Sequence, residues 1–123
     1  MPTQLFEADV RQVDGATIID LTGEINRSSE EGLNAAYDKA ARLGAARVLL
    51  NFSQVDYINS TGIAVIVGVL ARARKDGRTL TVFGLTEHYR TIFEITRLVD
   101  FMQVVPDERS AIQSPPEGSS QGV

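Results

Sequence analysis

The sequence predicts an α/β domain: a mixed β-sheet opened by an N-terminal hairpin, with helices packed against it. Three observations carry the expectation. The dipeptide Asp14-Gly15, which tolerates positive φ, separates two stretches of strand character. Short apolar runs at Val48–Phe52 and Leu80–Gly84 read as interior parallel strands. Segments with apolar residues at helical spacing alternate with them, and these carry start and stop signals.

Taken in order, Leu5–Val13 and Ala16–Leu21 should pair antiparallel across the Asp14-Gly15 turn. Thr22–Arg27 is expected as a loop, and Ser28-Ser-Glu-Glu31 places Ser and Glu at capping-box spacing for a first helix. Leu33, Ala36, Tyr37, Ala40 and Leu43 recur along one side of that helix, and Gly44 stops it.

The polar run Asp56-Tyr-Ile-Asn-Ser-Thr-Gly62 reads as a loop leading into Ile63–Leu70, the most apolar segment of the chain. Strand and helix compete for such a run, and length and flanks decide. From Ser60 the pattern continues to a basic last turn and stops at Gly77, which suits a helix capped by the Ser60 hydroxyl, buried in its first half and solvated in its second. Gly68 inside it is expected to mark a close-packing site.

Thr86 caps a third helix with Glu87 in its first turn and Tyr89, Ile92, Phe93 and Thr96 on one side. Phe101–Val105 is a last short strand before Pro106. The expected division is one domain over residues 1–106 and a flexible tail over 107–123, with a helical turn at Glu108–Gln113 and no core-forming residue from Ser114 until the final Val123.

A chain of 123 residues is the size of one domain. At that length roughly 65–70% of the unfolded surface is buried on folding, enough for a core without staples. There is no Cys, which excludes disulfides, a thiolate nucleophile and cysteine-based zinc sites. A net charge of −4 argues against nucleic acid as the partner. No apolar run is long enough to span a membrane, and no basic-then-apolar leader is present, so a cytoplasmic protein is expected.

Chemical signals are sparse. The one histidine, His88, falls in the third helix and supplies no evident base for Ser60 or Thr61, and the carboxylates form no pair by spacing, so no catalytic residue is assigned. No calcium loop or transition-metal cluster is recognisable, and Gly62, Gly68 and Gly77 lack phosphate-loop spacing. Arg72, Arg74, Lys75 and Arg78 form a basic helix end that either is simply solvated or rims an acidic partner. Ser60 opens a helix, where a phosphate would be favoured by the dipole and by the unpaired N–H groups.

Tyr57-Ile-Asn-Ser-Thr-Gly-Ile-Ala-Val65 resembles the signature of the STAS domain family, the sulphate transporter and anti-sigma factor antagonist domains. Gly23-Glu-Ile-Asn26 is similar to the segment before that family's first helix, Val48–Phe52 to its central strand, and Gly84–Val105 to its last helix and strand. The resemblance runs from Leu5 to Val105 and implies a single STAS-like domain. At two positions the chain differs from the family pattern, carrying Asn59 and Asn26 where Asp is common.

The length resembles that of free-standing bacterial anti-sigma factor antagonists. The resemblance implies that the unmodified domain binds an anti-sigma factor that is also a serine kinase, and so frees a sigma factor for transcription. It implies phosphorylation at Ser60, with Thr61 as a secondary acceptor, reversed by a serine phosphatase. Nucleotide and magnesium would belong to the kinase, leaving this chain without a cofactor and not an enzyme. The implied partner-binding set is Asn26, Tyr57, Asn59, Ser60, Thr61, Gly62 and Arg72. A second role within the family's range is a non-phosphorylated adaptor or scaffold subunit of a stress-signalling or lipid-transport complex, with Ser60 only a helix cap.

Overall fold

The computed structural model describes residues 5–113. The elements run β1 (Glu7–Val13), β2 (Ala16–Ile25), a 3₁₀ turn (Arg27–Ser29), α1 (Glu30–Arg42), β3 (Arg47–Ile58), α2 (Ser60–Lys75), β4 (Thr79–Phe83), α3 (Glu87–Ile95), a second 3₁₀ turn (Leu98–Asp100), β5 (Gln103–Val105) and α4 (Glu108–Gln113). The strands form one sheet in the order β1-β2-β3-β4-β5. β1 and β2 pair antiparallel, and the remaining pairs are parallel. The hairpin forms as expected, with positive φ at both Asp14 and Gly15.

Strand alternation divides the core between the two faces. Ile19, Leu21, Ile25, Val48, Leu50, Phe52, Leu80 and Val82 meet the apolar stripes of α1, α2 and α3 on one side. Ile18, Leu49 and Phe83 point the other way and are covered by Ala111 of α4. Each such large apolar side chain, fully buried, contributes about 1.5–3 kcal/mol relative to exposure. The packed chain thus runs past position 106 to the helical turn expected at 108–113. Arg11 bonds Glu108 at 2.6 Å and Asp20 at 2.6 Å, and Arg47 donates to the Ala111 carbonyl at 2.5 Å. The rest of the expected tail, residues 114–123, lies outside the described residues.

Several local expectations are corrected. Thr22–Ile25 is the end of β2, and Asp56–Ile58 the end of β3. β3 outruns its apolar run because exposed strand residues such as Ser53, Gln54 and Tyr57 carry no buried-face signal, whereas β2 keeps a buried alternation through Leu21, Gly23 and Ile25 that the glycine at its middle position masks in the sequence. The capping box is formed by Asn26 and Ser29 at the 3₁₀ turn, not by Ser28 and Glu31, and Ser29 makes no side-chain cap for α1. Leu43 is 47% exposed, because α1 has ended and the chain turns at Gly44. Phe101 lies before β5 and is exposed, and Thr96 is exposed beyond α3.

α2 departs from its expected division into a buried and a solvated half. One face is buried along its whole length, through Gly62, Val65, Ile66, Val69, Leu70 and Ala73. Ala64 and Val67 face solvent within the first half, and Gly68 does so at the start of the second. A Cβ placed on Gly68 would meet nothing within 4 Å, so that glycine is not a close-packing site within the domain.

Candidate functional site

Parallel pairing of β2, β3 and β4 brings their C-terminal ends, and the N-termini of the helices that follow, to one end of the sheet. Open α/β sheets commonly place binding sites at that end. The register between β2 and β3 shifts between Asp20 and Thr22 and again between Gly23 and Glu24. Gly23, at φ +88, supplies the backbone such an irregularity needs. Beyond it Glu24 stands opposite Tyr57 and Ile25 opposite Ile58.

The β3–α2 junction is held from several sides. The Asn59 N–H donates to the Ile25 carbonyl at 3.2 Å, and the Ile58 N–H donates to the buried Tyr89 hydroxyl at 2.9 Å. Gly62 presses against the end of β2 so closely that a Cβ there would lie 2.1 Å from the Ile25 carbonyl oxygen. The helix cap is Asn59, whose Oδ1 accepts from the Gly62 N–H at 2.8 Å and from the Thr61 hydroxyl at 2.8 Å. The expectation that Ser60 caps α2 is therefore corrected: Ser60 is the first helical residue. It became unnecessary as a cap because β3 pairing ends one residue earlier, leaving Asn59 extended at φ −93 and ψ −177.

The two hydroxyls differ as a result. Thr61 is exposed but tied to Asn59. Ser60 is exposed, and its hydroxyl makes no hydrogen bond among the described residues. Asn26 caps the neighbouring 3₁₀ turn, accepting from the Ser28 N–H at 2.8 Å and donating to Glu24 at 3.2 Å. Buried Ser29 ties that turn back to the Asn26 N–H and the Glu24 carbonyl. Tyr57 is 52% exposed beside this group. A cleft of about 340 Å³, lined by Arg27, Glu30, Thr61, Ala64 and Val65, separates the turn from α2.

Of the seven residues assigned from the sequence, Asn26, Tyr57, Asn59, Ser60, Thr61 and Gly62 gather at this end, and Arg72 does not. It lies three turns along α2, about 18 Å from Ser60 at 1.5 Å per residue. Its guanidinium bonds Asn34 and Asp38 of α1 at 2.8 and 2.6 Å and sits 4.5 Å from the centre of the Tyr37 ring. Arg74 lies over Phe101, and Arg78 bonds the Ala45 carbonyl. Much of the basic helix end is thus engaged within the domain.

Two supporting residues escaped the sequence reading. Tyr89 was expected only on the packed face of α3, yet its hydroxyl fixes the last residue of β3. A buried tyrosine that needs a polar partner was the available signal. Arg27 lines the cleft through a turn whose Asn26 and Ser29 box was not recognised. His88 is exposed and packs edge-on to Tyr89. Among the described residues no three His, Cys, Asp or Glu side chains are grouped to hold a metal ion. No helix among them is long and apolar enough to cross a membrane.

The STAS domain family matches residues 7–111 of the chain. The chain is 30% identical over 100 residues to the Bordetella bronchiseptica protein BtrV, named as an anti-sigma factor antagonist, covering 81% of this chain and 86% of that one. It is also 30% identical over 109 residues to the anti-sigma-B factor antagonist of Bacillus subtilis, covering 88% of this chain and 98% of the relative. The fold is similar to the crystal structure of an anti-sigma factor antagonist from Mycobacterium paratuberculosis, with a TM-score of 0.75, 18% identity and coverage of 88% and 92%. The chain belongs to the STAS domain family and stands within it among the anti-sigma factor antagonists.

Proposed function

We propose that the unmodified domain binds an anti-sigma factor that is also a serine kinase, so releasing a sigma factor, and that phosphorylation of Ser60 turns this binding off. A serine phosphatase restores it. The observation that carries the reading is the contrast between the two hydroxyls: Ser60 is exposed and makes no hydrogen bond among the described residues, whereas Thr61 is held by Asn59. A kinase meets an available nucleophile at Ser60 and a committed one at Thr61.

The physics of the switch follows from where Ser60 stands. A phosphoserine adds about −1.5 to −2 charges and three acceptor oxygens. At the first position of α2 the helix dipole tolerates that charge, so the domain itself keeps its fold. Inside a docked interface the same charge loses its water and finds no designed partner, which opposes binding. Asn59 caps the helix as a carboxylate would, through one accepting oxygen, so Asn in place of Asp leaves the geometry of the acceptor intact.

Incubation with the cognate anti-sigma factor kinase and ATP, followed by mass-spectrometric mapping, tests the assignment. The expected product carries one phosphate on Ser60, persists in Thr61→Ala and is lost in Ser60→Ala. Phosphate confined to Thr61, or no transfer from a kinase that binds the chain, overturns the switch and leaves an adaptor.

A further inference from the structure

β3 outlasts one of its neighbours. Its pairing with β4 stops at Asn51 opposite Phe83, after which the chain leaves the sheet for α3. Its pairing with β2 continues to Ile58 opposite Ile25, and the Asn59 N–H adds a bond to the Ile25 carbonyl. From Phe52 to Ile58, among the described residues, the strand that delivers Ser60 is therefore paired into the sheet on one flank only.

α3 takes the place of the missing strand on the other flank. At the near end Phe93 packs edge-on against Phe52, ring centres 6.0 Å apart. One turn back along α3, the Tyr89 hydroxyl accepts from the Ile58 N–H at 2.9 Å. Successive N–H groups leave a strand on alternate flanks, so with Asn59 bonded towards β2 the buried Ile58 N–H faces α3, where only a side chain can satisfy it. Tyr89 is itself 8% exposed, and its N–H is held by the Thr86 cap at 3.3 Å. Its hydroxyl is thus the last anchor on that flank before Asn59, whose Oδ1 commits the Thr61 hydroxyl.

We propose that Tyr89 is a positioning residue for phosphoryl transfer to this chain: by fixing Ile58 it sets Asn59, and so decides that Ser60 and not Thr61 is the acceptor. The role rests on the antagonist reading above. In the transfer, the Ser60 oxygen bonds to the γ-phosphorus of ATP as the bond to ADP breaks, and the hydroxyl proton passes to a base of the kinase. Tyr89 touches none of these atoms. It acts through the backbone, and a misplacement of about 1 Å is enough to slow such a step about a hundredfold.

The full chain, Tyr89→Phe and Val48→Ala are compared as substrates of the purified cognate kinase with ATP. Val48 is buried at the far end of β3, so its variant reports lost stability alone. Trimethylamine N-oxide, which favours the compact state, is added to all three wherever circular dichroism shows a variant part-unfolded. In Tyr89→Phe, kcat should fall at least about tenfold with KM within about twofold of wild type, and mass spectrometry should find part of the phosphate on Thr61. Val48→Ala should keep the wild-type kcat and carry phosphate on Ser60 alone. Wild-type kcat and an unchanged site in Tyr89→Phe overturn the positioning role and leave the antagonist reading standing. An equal loss in Val48→Ala, or a change in KM alone, does the same. A kinase that binds the unaltered chain and transfers nothing to it overturns both.

Discussion

Asn59 and Ser60 stand side by side, both are good caps, and the choice between them could not be read from composition. It is settled by the last backbone contact of the sheet, from the Asn59 N–H to the Ile25 carbonyl, which ends the extended chain at Asn59. The consequence is measurable. Asn59→Ala should lose about 1 kcal/mol in urea unfolding because the Gly62 N–H loses its partner. Ser60→Ala should stay within about 0.5 kcal/mol of wild type. A loss at Ser60 equal to that at Asn59 would return the cap to the serine. Gly62→Ala should cost about 1–3 kcal/mol, as its methyl group cannot share space with the Ile25 carbonyl. The sequence motif around Gly62 therefore encodes a close backbone approach as much as a modification site.

The paired ends of β2 and β3 were hidden for a different reason from the cap. The end of β3 loses its apolar alternation yet still pairs through its backbone, while β2 keeps its buried side through Leu21, Gly23 and Ile25, with a glycine where the sequence would need an apolar side chain, and follows β3 to the site through Gly23 and the register shifts. α2 was legible as a helix from its length and its Gly77 stop, but not in its faces, because apolar residues occupy its exposed as well as its buried positions. Gly68→Ala should raise stability by about 0.5–1 kcal/mol, read as an increase in the urea midpoint at constant slope. A decrease would mean that the glycine is packed after all. α4 was expected only as a turn before a tail, since the contacts that hold it come from Arg11 and Arg47, far away in sequence. The Arg11 pairs are part-exposed, so Arg11→Gln should cost no more than about 1 kcal/mol globally while accelerating hydrogen exchange in α4. Unchanged exchange there would show that apolar packing alone retains the helix.

The order of elements and the mixed sheet were legible because hairpin turn, helical spacing and stop glycines all favoured one topology, whereas the partition of the core between two faces was not, because consecutive apolar residues such as Val48, Leu49 and Leu50 do not declare which side each takes. The pH limits of the fold follow from groups on both faces. Burial pushes the Asp20 carboxyl up, but hydrogen bonds from Arg11 and Asn51 outweigh it and hold the group below its ordinary range. Its stabilisation is therefore present above about pH 4 and lost as pH falls through the depressed value. Burial and a hydrogen bond to Asp76 push the Tyr37 phenol up to about 12. That contribution is present below about pH 10 and lost as pH rises between about 10 and 12. Melting temperatures across pH should fall at both ends, and the acid decline should be shallower in Arg11→Gln; an unaltered acid limb would remove Asp20 from the account. The switch itself is tested most directly by the affinity of the anti-sigma factor kinase for the unmodified chain and for the chain fully phosphorylated at Ser60. An uncompensated charge inside an interface predicts a loss of roughly a hundredfold or more with the fold intact, and equal affinities for the two forms would contradict it.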